Sequence, residues 1–302
     1  MNKPISPSAI SGLRQRFIED MTVRGFTEKT RRSYIRIVSG FAVFLGRSPD
    51  TATAEDIRRF QIHQSERGMH APGMNGTVAA LRFFLTQTLD RPDLSRKLIR
   101  LRYPRKLPTV LSAEEVARLL AATKCLKHRA ALSVAYGAGL RVAEVAALKV
   151  GDIDSARMLI RVERGKGGRY RHALLSPELL ALLRAWWQEG RRQGVMLQGG
   201  WLFPGQDPGK PISTRQLARV VEEAAQTAGL TKHASPHTLR HSFATHLLED
   251  GVDIPVIQVL LGHAKLDNTA LYTRVATRTV RTVTSPLDKI VALIGEQPNA
   301  GG

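Results

Sequence analysis

Apolar residues recur every three or four positions along most of this 302-residue chain, which is the spacing of a helix with one buried face. Before residue 96 the pattern predicts four helices, at 10–24, 27–45, 53–67 and 73–88, with glycines between them. Thr53 and Asp56 have the spacing of a capping box, with Asp in the position that Glu usually takes. This part of the chain is therefore predicted to be a compact helical bundle.

The rest of the chain mixes helical segments with one stretch of a different period. Ser112 and Glu115 have the spacing of a capping box at the start of an amphipathic helix. Residues 157–175 alternate instead, around a glycine-rich turn at 165–168, which predicts a β-hairpin. Further helices are predicted at 128–136, 177–188, 213–227, 236–249 and 254–261. The sequence therefore predicts a mainly α fold with a small β-sheet.

A basic segment separates the two parts. Residues 96–110 carry several cations, no acid and two prolines that stop regular structure, so they are predicted to form a linker. Such a segment either stays solvated or lies along the phosphates of a nucleic acid. The predicted divisions are 1–95, the linker 96–110, a second domain 111–285, and a C-terminal stretch 286–302 with an apolar helix at 286–294.

The charge of the chain indicates a polyanionic partner. Lys and Arg number 45 against 26 Asp and Glu, a formal net charge of +19. Both parts are basic, which favours two bodies that hold one polyanion between them. An anionic membrane surface and simple solubility remain alternative explanations of the same charge.

Cysteine content and hydropathy restrict the compartment. The single cysteine, Cys125, excludes an intramolecular disulfide and a multi-cysteine metal site, which favours a reducing environment. No apolar run resembles a signal peptide or reaches the length of a membrane span. A soluble, cytoplasmic protein is the expectation.

The segment from Ser235 onward predicts a phosphate-binding helix start. Ser235 is a suitable N-cap and Pro236 a suitable first helical residue. His237 and Arg240 then share one face near the helix N-terminus, where unpaired N–H groups favour an anion. An ordinary helix with a surface His and Arg is the alternative explanation of this pair, and the pair alone does not exclude it. Although His237 and His241 have the spacing of a zinc pair, the segment lacks the Glu of a zinc motif and carries an arginine between them, so no metal is predicted.

Charged side chains in two further segments are candidates for the same chemistry. Arg141 follows two glycines, and Glu144 comes one helical turn later, where it can orient a cation. Because the neighbouring positions are apolar, Arg141 needs either a ligand or an ion-pair partner, and both readings stay open. Lys166 lies at the tip of the predicted hairpin, where it is either a mobile proton donor or a solubilising charge.

The last candidates follow the helix predicted at 254–261. Gly262 is the expected residue after that helix, which puts His263 at a helix end. Tyr272 comes nine residues after His263. By itself it is as compatible with packing as with chemistry.

Taken in order, these motifs resemble those of the tyrosine recombinases of the phage-integrase family. Within that family they most resemble the motifs of Xer-type recombinases and integron integrases. The resemblance rests on GLRVAE, the GKG hairpin, HTLRHSFATHLL, LLGH and Tyr272. It covers nearly the whole chain. It implies an N-terminal helical core-binding (SAM-like) domain, and a C-terminal catalytic domain at 111–285.

The resemblance also implies the roles of the candidates. Two arginines, Arg141 and Arg240, would grip the scissile phosphate of DNA, with Glu144 supporting the site. The remaining implied catalytic residues are Lys166, the histidines His237 and His263, and the nucleophile Tyr272. No metal or other cofactor is implied.

The implied function is site-specific recombination of double-stranded DNA through a covalent 3′-phosphotyrosyl intermediate. Four protomers would act together, with the helix at 286–294 docked on a neighbour. A catalytically silent DNA-binding accessory protein and a type IB topoisomerase-like relaxing enzyme are the alternatives. The recombination site, the type of genetic element and the need for a second recombinase stay open.

Overall fold

A computed structural model of the chain describes residues 7–104, 107–164, 169–262 and 283–295. The chain divides into two compact units, residues 1–106 and 107–302, and each has an apolar core of its own. Both units are dominated by helices, and the second holds one small sheet. The predicted fold class, mainly α with a small β-sheet, is therefore confirmed. Within the described ranges, no helix combines the length and apolar character needed to cross a membrane.

The first unit is a helical bundle around aromatic side chains. Its helices are α1 (Pro7–Val23), α2 (Glu28–Leu45), α3 (Ala54–Glu66), α4 (Ala71–Phe83) and the short α5 (Pro92–Ser95). The core includes Phe17, Phe41 and Phe84, all almost fully buried. The capping box predicted for α3 is confirmed, because the Thr53 hydroxyl accepts from the Asp56 N–H and the Asp56 carboxylate accepts from the Thr53 N–H.

The fourth helix departs from its predicted bounds. It begins at Ala71 rather than at residue 73, because the proline at position 72 fits the first turn, where its missing N–H costs no hydrogen bond. A π-helical turn, Phe84–Thr88, follows it where one continuous helix was predicted. Helix α5 was not predicted, since four residues are too few for a periodic pattern.

An extended stretch of the predicted linker is fixed on the first unit. The side-chain amide of Gln61 donates to the carbonyl oxygen of Ile99 and accepts from its N–H, at 2.8 and 3.1 Å. Asn75 makes the same reciprocal pair with Leu101, with both distances 2.9 Å. Each side-chain amide thus bonds both the N–H and the carbonyl group of one linker residue, as a neighbouring strand would.

The second unit packs its helices around one sheet. In order they are α6 (Ala113–Ala121), α7 (Leu126–Gly137), α8 (Val142–Ala146), α9 (Pro177–Arg192), α10 (Thr214–Thr227), α11 (Pro236–Glu249), α12 (Ile254–Leu261) and α13 (Pro286–Gly295). The predicted capping box of Ser112 and Glu115 is confirmed at the start of α6. Helix α9 extends to Arg192, four residues beyond its predicted end.

The sheet has three antiparallel strands in the order β1 (Ile153–Asp154), β2 (Leu159–Arg164) and β3 (Arg169–Leu174). Strands β2 and β3 are the predicted hairpin; β1, with two residues, was not predicted. Val162 pairs with Arg171, and Ile160 pairs with Ala173. All four of these residues are buried, so an arginine shares a buried position with apolar neighbours.

Helix α13 packs within its own chain. Leu287 and Ile290 are almost fully buried against α6, α7 and α9. The hydroxyl of Ser285 donates to the carbonyl oxygen of Gly137 at 2.7 Å, and Lys289 pairs with Asp250 at 2.5 Å. A Cβ at Gly137 would lie only 2.8 Å from the Leu287 side chain, so the glycine allows this close approach.

Candidate active site

The first turn of α11 forms as the sequence predicts. The hydroxyl of Ser235 accepts from the Thr238 N–H at 3.2 Å, and the Thr238 hydroxyl accepts from the Ser235 N–H at 3.1 Å. Pro236 is the first helical residue. This start leaves His237 exposed and directs Arg240, one turn later, into the protein.

A sharp turn before α8 brings a second arginine to the site. Gly139 has φ of +61°, a left-handed conformation that glycine adopts without steric cost. Arg141 is then the N-cap residue of α8, and its N–H donates to the Glu144 carboxylate at 2.8 Å. Leu140 and Val145 are buried beside this turn, as their apolar character predicts.

Arg240 is held by two backbone carbonyl groups. Its two terminal nitrogens donate to the carbonyl oxygens of Gly139 and Leu261, each at 2.6 Å. Leu261 is the last residue of α12, and the predicted helix stop at Gly262 is confirmed by its left-handed backbone. The side chain of Arg240 is 7% exposed, so these carbonyl groups fix a guanidinium that has little contact with water.

Glu144 joins three arginines. Its carboxylate accepts from Arg141 Nη1 at 2.9 Å and from Arg171 Nη2 at 2.8 Å, and it lies 3.7 Å from Arg240 Nη1. The Arg141 side chain remains 42% exposed, whereas that of Arg171 is 5% exposed. Glu144 therefore contacts Arg141, as their spacing in the sequence allows, and Arg171 is an additional partner.

Charge interactions within the cluster shift its titration. Burial, followed by repulsion from Arg141 and Arg171, lowers the pKa of Arg240 to about 10. Burial alone would raise the pKa of Glu144, but Arg171 and the hydrogen bonds from both arginines outweigh it and hold that pKa below its ordinary value. Arg240 and Glu144 are therefore both charged at neutral pH. Burial, with help from His237 and Arg240, also lowers the pKa of His241.

The arrangement has the chemistry of an anion site. Among the described residues, three guanidinium groups against one carboxylate leave an excess of two positive charges at a half-buried site. Guanidinium groups donate in a fixed planar geometry that fits phosphate oxygens. Arg141 is the most accessible of the three. A paired Arg141 was one of the two readings left open by the sequence, and the pair exists within a cluster that stays cationic.

The predicted site residues are brought together only in part. Arg141, Glu144 and Arg240 form one cluster, and His237 lies on the same helix as Arg240. Three others, Lys166, His263 and Tyr272, lie outside the residues that the structure describes. Within those it does describe, no three His, Cys, Asp or Glu side chains are grouped closely enough to hold a metal ion.

Arg171 is the residue that the sequence interpretation missed. It lies in β3 opposite Val162, on the face that the apolar alternation of the hairpin turns inward. An arginine at an inward position of a strand requires a buried partner, because an unpaired buried charge is very costly. That alternation was the available signal.

Comparison with known sequence families matches both units. Residues 109–278 match the model of the Phage integrase family. Residues 13–93 match the model described as the N-terminal SAM-like domain of phage integrases.

Two relatives share most of their length with this chain. One, from Sinorhizobium fredii and named as integrase/recombinase y4qK, is 44% identical over 278 residues, which cover 91% of this chain and 88% of the relative. The other, tyrosine recombinase XerA of Thermococcus kodakarensis, is 38% identical over 246 residues, covering 80% and 85%.

A solved structure shares the fold. It is the lambda integrase tetramer bound to a Holliday junction, matched with a TM-score of 0.67 and 18% identity over 87% of this chain and 76% of that one.

Proposed function

The chain belongs to the phage integrase family of tyrosine recombinases, and on that basis we propose that it cuts and rejoins DNA strands through a covalent 3′-phosphotyrosyl intermediate. The observation that carries the proposal is the cluster of Arg141 and Arg240 around Glu144. It supplies fixed positive charge where a phosphodiester would gain negative charge on its non-bridging oxygens. Because Arg240 is already held by two carbonyl groups, it needs no rearrangement at the moment of reaction.

The nucleophile in this proposal is Tyr272, as the family resemblance implies. A tyrosine hydroxyl has an ordinary pKa near 10, so it is protonated at neutral pH and must lose its proton as it attacks. We assign that proton to His237, which is exposed in the first turn of α11. The bond that forms joins the tyrosine oxygen to phosphorus, and the bond that breaks joins phosphorus to the 5′-oxygen.

The departing 5′-oxygen requires a proton, and we assign Lys166 as its donor. The second histidine, His263, would contact the phosphate beside the arginines. The phosphotyrosine bond retains the free energy of the broken phosphodiester. The 5′-hydroxyl of a partner strand then attacks it, so the reaction consumes no ATP.

The proposed partner is a double-stranded recombination site held by four protomers. Two observations support it: a net charge of +19 spread over both units, and a fold shared with a tetramer on a Holliday junction. In this proposal residues 1–95 form the core-binding domain, which binds DNA, and residues 111–285 form the catalytic domain.

The docking of residues 286–302 on a neighbour also stays a proposal. Leu287 and Ile290 are buried in their own unit, so docking would require α13 to leave that site. Deletion of residues 285–302 tests the idea, because it should abolish synaptic assembly. The deletion also removes the buried Leu287 and Ile290, so retained binding to a single half-site is the check that the shortened chain still folds. Unchanged assembly would exclude the docking role.

The decisive test is covalent trapping of DNA in EDTA. A suicide substrate, nicked so that the cleaved strand cannot rejoin, is built from DNA that flanks the gene. It is incubated with wild type and with Tyr272→Phe, and denaturing electrophoresis follows. We expect a protease-sensitive shifted band with wild type alone.

Tyr136→Phe is the matched control, because it makes the same change at a buried tyrosine that hydrogen-bonds His246. It should trap DNA as wild type does. If wild type binds the substrate tightly and never forms the band, the accessory-protein alternative replaces the proposal. Trapping that persists in Tyr272→Phe would move the nucleophile to another residue.

A further inference from the structure

Arg171 is a charged residue at the centre of the site that the mechanism above does not use. It comes from β3, and its side chain is 5% exposed. A buried arginine requires several acceptors to offset its lost hydration. The identity of those acceptors indicates what the residue does.

Two acceptors connect Arg171 to both sides of the cluster. Nη1 donates to the carbonyl oxygen of Leu260 at 2.7 Å, and Nη2 donates to Glu144 at 2.8 Å. Leu260 precedes Leu261, whose own carbonyl holds Arg240. Arg171 and Arg240 therefore hold adjacent carbonyl groups at the end of α12, and both lie next to the same carboxylate.

The charge balance depends on this residue. Glu144 is required locally, because it caps α8 and orients Arg141. Its negative charge, however, also cancels part of the positive charge available to a phosphate. With Arg171 present the cluster carries an excess of two positive charges, and without it the excess falls to one.

We propose that Arg171 is a positioning residue for the phosphate site, which compensates the charge of Glu144 so that Arg141 and Arg240 keep theirs for the phosphate. This inference rests on the proposed function and deepens it. It assigns no contact between Arg171 and the phosphate. The effect passes through Glu144, so the two residues should be coupled in a way that can be measured.

The test uses inorganic phosphate as the probe, since it requires no knowledge of the DNA site. Thermal unfolding of the full chain is followed against phosphate concentration, with sodium chloride keeping ionic strength constant. Arg141→Gln shows how much of the phosphate-dependent rise in unfolding temperature comes from this cluster. Arg192→Met is the matched control, because Arg192 forms an exposed ion pair with Glu189.

The expected order of phosphate affinities follows the net positive charge of the cluster. Arg171→Met should bind phosphate about tenfold more weakly than wild type, the order expected for one charge at roughly 10 Å in a half-buried site. Arg171→Met combined with Glu144→Gln should restore the affinity, since the excess returns to two. Glu144→Gln alone should bind more tightly than wild type, and Arg192→Met should match wild type.

Stability separates this role from a purely structural one. Arg171→Lys keeps the charge and loses the fork that reaches both acceptors, so it should lose stability and retain most of the phosphate affinity. A double variant that binds phosphate no better than Arg171→Met would overturn the proposal. If Arg171→Met does not fold, Glu144→Gln and Arg171→Lys decide the question, because weaker binding in both would contradict it.

The suicide-substrate assay keeps the two proposals distinct. If the variants rank in phosphate affinity as expected and wild type never traps DNA, the recombinase mechanism fails while the role of Arg171 in anion binding stands. If wild type traps DNA and the phosphate order is absent, the role of Arg171 fails alone.

Discussion

Replacing Gly139 by alanine tests the turn on which the site is built. The residue has φ of +61°, and a Cβ added there would lie 2.5 Å from two ring carbons of Phe243. Phe243 is fully buried, so its ring cannot swing out into solvent. The carbonyl group of the same glycine accepts from Arg240, so a displaced turn would also displace the arginine.

The expected loss of stability in Gly139→Ala has two parts. A left-handed conformation costs an L-residue about 1–2 kcal/mol, and forcing extra atoms into a packed core adds about 1–3 kcal/mol. Gly139→Ala should therefore lower the free energy of unfolding by about 2–5 kcal/mol. Gly229→Ala is the matched control, because Gly229 has φ of +65° with nothing within 4 Å of its added Cβ. It should lose only the first part, about 1–2 kcal/mol.

Urea unfolding of both variants measures the difference, and phosphate titration follows the consequence for Arg240. We expect Gly139→Ala to lose phosphate affinity and Gly229→Ala to retain it. Equal destabilisation of the two variants would refute the claim that Phe243 confines the turn. A destabilised Gly139→Ala with wild-type phosphate affinity would refute the link from the Gly139 carbonyl to the anion site.

Three other results are expected. Asn75→Ala removes two hydrogen bonds to Leu101, which together stabilise the extended segment by about 1.4 kcal/mol. Trypsin should therefore cut after Arg100 about tenfold faster in this variant, as measured by mass spectrometry. An unchanged rate of cleavage would mean that the Asn75 amide does not hold this segment. Because the pKa of Glu144 is lowered by folding, its stabilisation is present above the ordinary value of 4.5 and is lost as pH falls below it. The stability advantage of wild type over Glu144→Gln in urea should therefore shrink from about pH 6 to about pH 3, and a constant difference would contradict this charge interaction. Leu287→Ala should lower the free energy of unfolding in urea by about 2–5 kcal/mol, because it leaves a cavity at a buried position beside Gly137. A loss below about 1 kcal/mol would mean that α13 adds little to the stability of the fold.

Local signals in the sequence determined most of the helices. The capping boxes at Thr53 and Ser112, and the helix stop at Gly262, depend on side chains and backbone angles within a few residues of each other. Such interactions form in the same way wherever the segment is placed. This is why the sequence predicted those boundaries, while short elements such as α5 and β1 left no periodic pattern to detect.

The composition of the site was predictable, because residue types and their order along the chain carry the family resemblance. Arg141, Glu144 and Arg240 were selected in this way, and the structure brings them together. Which charges meet was decided only by tertiary packing. Arg171 is 27 residues from Glu144 along the chain, and no local rule pairs them.

The same holds for the carbonyl groups that fix Arg240. Gly139 and Leu261 lie 101 and 21 residues from it, and they become its acceptors only because α12 and the turn before α8 pack around α11. A buried charge must find partners wherever the fold brings them. The sequence by itself thus determined the helices and the residue types of the site, and tertiary packing decided the charge balance that makes the site cationic.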